Sequence, residues 1–133
     1  MKLRISGPSI RLRLDSREVA KLQAGEAIEA SIRLGSDPDD VFRYCLQPDA
    51  TVPARPLGVR YRPRDIVVTA PLTVLQEWCG GNGITLEGEE NFDGYQVRIL
   101  IEKDLQRLNP KPGDDTSSLF PNPRFGIDHC DHP

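Results

Sequence analysis

The sequence lacks the features that most often identify a function. No stretch of 18 consecutive apolar residues occurs, so we do not expect a membrane-spanning helix. A P-loop and a GxGxxG fingerprint are also missing, which leaves no motif for a nucleotide. The opening residues carry no apolar segment of signal-peptide length, and we therefore expect a cytoplasmic protein with no membrane partner.

Cysteine and histidine are scarce. The three cysteines, Cys45, Cys79 and Cys130, form no CxxC pair, which argues against a disulfide framework or a zinc knuckle. The two histidines, His129 and His132, stand near the end of the sequence, where rigid support for four zinc ligands is not expected. No Ser-His-Asp or Cys-His set can be assembled. We therefore predict no metal and no cofactor, and we favour a protein that is not an enzyme.

Charge of one sign is not in large excess. Seventeen basic and twenty acidic residues give a formal net charge of −3, so the whole molecule is not drawn to phosphate-rich polymers. The apolar content of 38% and the charged content of 28% are typical of a globular protein. A length of 133 residues fits one domain, and we predict a single domain over residues 1–133.

Apolar and polar residues alternate through the first part of the chain, as they do in strands with one buried face. The inward positions of two such strands are Leu3, Ile5, Ile10, Leu12 and Leu14. Asp15 followed by Glu18 has the spacing of a capping box, and Gly25 ends the short helix that this box begins. Alternation over 28–32 and a further apolar run over 41–47 predict two more strands.

This pattern occurs twice. With a constant offset of 56, residues 2–31 are matched without a gap by residues 58–87. The matched pairs include Leu22 with Trp78, Gly25 with Gly81 and Ile28 with Ile84. Apolar residues fall on apolar residues at nearly every inward position, which indicates an internal repeat.

The repeat predicts the architecture. We divide the chain into halves 2–47 and 57–101, followed by an extended C-terminal tail over 104–133. Two ββαββ halves with short helices predict a mainly β (α+β) fold, namely a closed or nearly closed β-barrel of about eight strands. We expect one helix at each end of that barrel.

Two resemblances follow from these residues. Residues 10–28, a strand, a short helix and a Gly-x-x-Ile turn, resemble the module of the SpoVT/AbrB-like swapped-hairpin DNA-binding proteins and of the wider cradle-loop barrels, and Pro71 stands where that module usually has a proline. The opening MKLRISGPSIRLRL, the IEKDL at 101–105 and the closing DDxxxxFPNP are similar to a family of small bacterial proteins of unknown function. That family implies a bacterial origin but no activity.

The leading functional hypothesis is a non-enzymatic binding or accessory module that recognises a protein or a small ligand. Phe120 is the bulky aromatic residue of a polar stretch of the tail, so we expect it to pack into an apolar notch of the fold. The ligand would bind where the tail meets the end of the last strand. The candidate residues are Glu102, Lys103, Asp104, Phe120 and Asn122.

Two alternatives stay open. The resemblance to AbrB-like proteins implies a DNA-binding regulator whose strand arginines contact phosphates, and the candidates are Arg4, Arg11, Arg13 and Arg60. The carboxylates and the lysine of the Glu102–Asp104 region could instead serve a small enzyme or a metal site. An enzyme predicts that these three side chains converge on one cavity.

Overall fold

A computed structural model describes residues 1–51, 56–105 and 119–122. The first half contains β1 (Lys2–Ser6), β2 (Ser9–Leu14), α1 (Ser16–Gln23), β3 (Ile28–Arg33) and β4 (Val41–Asp49). The second half contains β5 (Gly58–Arg62), β6 (Asp65–Pro71), α2 (Leu72–Gly80), β7 (Thr85–Phe92) and β8 (Tyr95–Lys103). The ββαββ order predicted for each half is therefore present. Neither helix has the length and apolar character needed to cross a bilayer, as far as the chain is described.

The two halves are interleaved. Sheet A has the order β1-β2-β8-β7 and sheet B the order β3-β4-β6-β5, so each sheet takes one hairpin from each half. The hairpins are antiparallel, and the halves join through two parallel ladders, β2 with β8 and β4 with β6. Exchanging the halves turns the strand order of sheet A into that of sheet B, which is the pseudo-symmetry expected of the repeat.

The prediction of a closed or nearly closed barrel is wrong, because both sheets remain open four-stranded sheets. Edge strands β5 and β7 approach each other, but side chains fill the space between them. Leu57 lies against Gly88 so closely that a Cβ on Gly88 would be 2.8 Å from Leu57 side-chain atoms. Alternation along single strands predicts which face is buried but not whether two edges pair.

The helices also differ from the prediction of one at each end. They contact each other, and the Gln76 side-chain amide donates a hydrogen bond of 3.1 Å to the Gln23 carbonyl. Each helix buries two residues at matching positions, Val19 and Leu22 in α1 and Leu75 and Trp78 in α2. A helix of eight or nine residues is not stable alone. Here α1 and α2 pack against each other and contribute these four apolar residues to the core.

The start of α1 follows the sequence-based expectation. The Asp15 carboxylate accepts a hydrogen bond of 3.0 Å from the Glu18 amide, and the Glu18 carboxylate accepts one of 3.0 Å from the Asp15 amide. This reciprocal capping box satisfies two N–H groups that the first helical turn leaves without partners. Gly25 follows the helix with φ +89°, a conformation that glycine adopts without strain.

The repeat holds without a gap only as far as the second helix. Leu12 pairs with Ile101 in one parallel ladder. Its match, Val68, pairs with Leu46 in the other. Ile101 pairs in turn with Leu86, and Leu46 with Ile28. Ile28 is therefore matched in the sheets by Leu86 and not by Ile84, so the second half contains two additional residues between helix and strand.

The described part of the tail contacts the folded core. Leu105 forms a parallel bridge with Phe120, and the Phe120 amide donates a hydrogen bond of 2.9 Å to the Asp104 carbonyl. The Phe120 ring packs against the buried core cluster, as expected from its isolation in a polar stretch. We call residues 119–122 the strap. The predicted tail residues 106–118 and 123–133, including the terminal histidines, lie outside the described residues.

Candidate functional site

The structure brings together the residues predicted at the tail. A cavity of about 230 Å³ lies between the end of β8 and the strap. Its lining consists of Arg13, Ile84, Glu102, Lys103, Asp104, Leu105 and Asn122. Four of the five candidate ligand-binding residues therefore border one cavity, and the fifth, Phe120, contacts Lys103 beside it.

Lys103 occupies an unusual position for a lysine. It is 7% exposed, and it lies on the inner face of β8 because it continues the alternation of Ile99 and Ile101. Its ammonium nitrogen donates a hydrogen bond of 2.9 Å to the Gly81 carbonyl, and it lies 5.3 Å from the ring centroid of Trp78 and 5.7 Å from that of Phe120. One carbonyl and two aromatic rings thus compensate the buried charge.

The neighbouring carboxylates are engaged elsewhere. Glu102 faces outward and pairs with Arg11 at 2.8 Å and with Arg13 at 3.8 Å. Asp104 pairs with Lys2 at 2.8 Å. Each charged group of the predicted enzyme site therefore has its own internal partner, and the Lys103 ammonium also contacts the strap through the Phe120 ring. Ligand binding by these residues stays a prediction.

The arginines predicted to contact DNA do not share one surface. Arg4, Arg11 and Arg13 lie on the outer face of sheet A, where Arg4 is directly opposite Arg11 across the β1–β2 hairpin. Lys2 joins them opposite Arg13. Arg60, by contrast, belongs to β5 of sheet B.

A larger polar cavity, which the sequence did not predict, lies on the outer face of sheet B beside the connection between the halves. We call it the connection cavity, and its volume is about 430 Å³. Its lining consists of Gln47, Pro48, Asp49, Thr51, Pro56, Gly58, Val59, Arg60, Thr69 and Glu90. Its floor is a row of three residues in register on adjacent strands, Gln47, Thr69 and Gly58.

Gly58 shapes that floor because it has no side chain. A Cβ at this position would be 3.0 Å from the Thr69 hydroxyl oxygen and 3.7 Å from both Glu90 carboxylate oxygens. Glu90 belongs to β7 of the other sheet, and it reaches the cavity where the β5 and β7 edges approach each other. No pattern in the sequence indicates this meeting, because it depends on how the two sheets are placed.

Two cysteines within the described residues are free thiols. Burial raises the pKa of both, and for Cys79 the nearby Lys103 ammonium partly offsets that rise. The pKa of Cys45 is raised further by Glu29 and Asp65 and lowered by Arg43. A raised pKa disfavours the thiolate, so neither is suited to be a nucleophile. Among the described residues, no group of three or more His, Cys, Asp or Glu side chains is placed to hold a metal ion.

The fold and its cavities define a class of protein: a small α+β chain of two interleaved halves, with preformed polar cavities. The chain belongs to a family of unknown function (DUF7009), which matches residues 1–124. This finding confirms the resemblance to a family of unknown function over most of the chain. No curated protein and no solved structure matches the chain.

Proposed function

We propose that this protein is a non-enzymatic binding module that recognises a small polar ligand in the connection cavity. The observation that carries the proposal is a cavity of about 430 Å³ that presents the Arg60 guanidinium and the Glu90 carboxylate to the same space. Ligand sites commonly measure about 300–1,000 Å³ and place a few polar groups on a rigid frame. The strap cavity, at about 230 Å³, is smaller, and its charged groups have internal partners.

The charges in the cavity suggest the class of ligand. Arg60 and Glu90 have no ion-pair partner among the described residues. Arg60 offers donors to a carboxylate, and Glu90 offers acceptors to an ammonium group. Gln47 and Thr69 add neutral polar groups between them. A zwitterion of the size of a free amino acid matches this arrangement.

The frame supports binding without a large rearrangement. Gln47, Thr69 and Arg60 lie on three adjacent strands, β4, β6 and β5, whose ladders fix their spacing. A preformed site avoids part of the entropy that a flexible site loses when a ligand binds. We therefore expect binding to stabilise the fold by mass action alone.

The test is a thermal-shift measurement with each of the proteinogenic amino acids as the probe. A ligand at ten times its Kd contributes about 1.4 kcal/mol, which raises the Tm of a domain of this size by about 5 °C. Gly58→Ala fills the cavity floor, and Glu90→Gln removes the carboxylate, so both are expected to abolish the shift. The matched control is Glu89→Gln, the exposed neighbour on the opposite face of β7, which should keep it.

Two results contradict the proposal. One is the absence of a shift with every amino acid. The other is a shift of equal size in the Gly58→Ala, Glu90→Gln and wild-type proteins, because binding would then occur elsewhere.

The hairpin exchange also supports a finer assignment of the fold. We propose that each β-α-β unit is related to the swapped-hairpin module of the SpoVT/AbrB-like proteins, in which hairpins of two units are exchanged. The support is the composition of each sheet, one hairpin from each half. We also propose a cytoplasmic location, which the free thiols of Cys45 and Cys79 support.

A further inference from the structure

We infer that the outer face of the β1–β2 hairpin binds a phosphate group. A cleft of about 140 Å³ on this face is lined by Arg4, Ser6, Ser9 and Arg11. It lies on sheet A, whereas the connection cavity is on the outer face of sheet B, so the two proposals stand or fall separately. A cleft of this size accommodates an oxyanion rather than a larger ligand.

The balance of charges on this face points to an anion. Four cations occupy the hairpin: Lys2, Arg4, Arg11 and Arg13. Two carboxylates, Glu102 and Asp104, pair with Lys2, Arg11 and Arg13. Arg4 alone of these four has no ion-pair partner among the described residues. The other two strands of this face carry Arg98, Glu87 and Glu89, so the charges of the whole described face sum to one net positive charge. A bound phosphate group would supply the negative charge that Arg4 lacks.

The cross-strand register places Arg4 and Arg11 side by side. These arginines are direct partners in the antiparallel ladder. Like charges directly opposite each other destabilise a strand pair, unless a bound anion joins them. The Glu102 carboxylate holds the Nε of Arg11 at 2.8 Å, which fixes the guanidinium while leaving its other N–H groups free to donate. Two such groups can grip a tetrahedral oxyanion from both sides.

The two serines complete one end of the cleft. Ser6 and Ser9 are also cross-strand partners, in the next pair along the hairpin. The Ser9 hydroxyl donates a hydrogen bond of 2.7 Å to the Ser6 carbonyl. The Ser6 hydroxyl therefore remains the donor available to a phosphate oxygen.

The second half provides an internal comparison. Arg60 is the match of Arg4, but its cross-strand partner is Val67. The match of Ser9 is Asp65, a carboxylate that would repel an anion. The repeat therefore preserves Arg4 as Arg60 but replaces Ser6 by Arg62, so the second hairpin does not reproduce the residues of the cleft.

The experiment is an NMR titration of the full chain at pH 7.5 and constant ionic strength, which follows the arginine Nε–Hε signals. The probes are inorganic phosphate and glycerol phosphate, with chloride as the reference salt. We expect saturable shifts of the Arg4 and Arg11 signals. Arg4→Gln is expected to raise the Kd about 10- to 100-fold, because one charge-assisted hydrogen-bonding group is lost. The Kd of Arg4→Lys should lie between those of the wild-type protein and Arg4→Gln, because lysine keeps the positive charge but lacks the two parallel N–H donors of arginine.

Arg17→Gln, at an exposed position of α1, is the matched control and should leave phosphate binding unchanged. A thermal melt of each variant verifies that it is folded. Because Arg4 is exposed, we expect its replacement to leave the Tm unchanged. Equal shifts with chloride and phosphate, or equal losses of phosphate affinity in Arg4→Gln and Arg17→Gln, would overturn the inference.

A 20-base-pair DNA duplex distinguishes the source of the phosphate. We measure the slope of log K for duplex binding against log salt concentration. If Arg4→Gln lowers the magnitude of this slope by about one, the phosphate belongs to a nucleic-acid backbone. Saturable binding of glycerol phosphate without duplex binding assigns it to a small phosphorylated molecule. Either outcome supports the phosphate site, and the loss of both overturns it.

Discussion

Truncation of Phe120 to alanine tests how firmly the strap is held. A fully buried phenylalanine costs about 3–5 kcal/mol when it is replaced by alanine. Phe120 is half-buried against the core, so we expect Phe120→Ala to lower the free energy of unfolding by about half of that, about 1.5–2.5 kcal/mol. Phe92 is 45% exposed at the end of a hairpin, and Phe92→Ala is the control with an expected loss below about 0.5 kcal/mol.

The assay is urea unfolding followed by tryptophan fluorescence. The chain has one tryptophan, Trp78, which is 7% exposed and lies beside Lys103, so its signal reports the region under the strap. The m-value should stay constant if the variants differ only in stability. A loss within 0.3 kcal/mol of zero for Phe120→Ala would mean that the ring contributes nothing, which would refute the packing argument.

A double-mutant cycle separates the ring–ammonium contact from the rest. Lys103→Met removes the charge but keeps the apolar stem of the side chain. Its single effect combines the loss of the hydrogen bond to Gly81 with relief of a buried charge, so only the coupling is informative. We expect a coupling energy between Lys103 and Phe120 of about 0.5–1 kcal/mol, and a value of zero would contradict the cation–π contact.

Two further predictions concern the first helix and a buried thiol. Asp15→Ala should lower the free energy of unfolding by about 1 kcal/mol because it removes the capping box, and an equal loss in the exposed neighbour Ser16→Ala would contradict that cause. In a chain with the other cysteines replaced by serine, the thiol of Cys79 should react with a disulfide reagent at a higher pH midpoint than an unfolded thiol, because burial raises its pKa. Lys103→Met should raise the pKa and the midpoint further, and a downward change would show that the ammonium does not act on the thiol.

Local features of the fold could be predicted from the sequence. The order of strands and helices follows from the alternation of apolar residues, and the capping box at Asp15 and Glu18 follows from a spacing of three residues. The packing of Phe120 follows from its isolation in a polar stretch. Each of these features depends either on residues close together in the chain or on the burial of a single apolar side chain.

Long-range features could not be predicted. The parallel ladders between the halves join residues as distant as Ile10 and Ile99, and alternation does not state which strand lies beside which. The barrel prediction failed at this step. The burial of Lys103 could be predicted in part. Ile99 and Ile101 alternate onto the inner face of β8, and continuing that alternation places Lys103 on the same face. The connection cavity depends on Glu90 reaching Gly58 across two sheet edges, for which the sequence carries no signal.

The most direct test of the binding proposal is an amide NMR titration of the full chain with the amino acid that gives the largest thermal shift. The proposal predicts saturable changes concentrated at Gln47, Gly58, Thr69 and Glu90, and their loss in Gly58→Ala. Changes concentrated around Lys103 and the strap, or an absence of saturable changes, would contradict it.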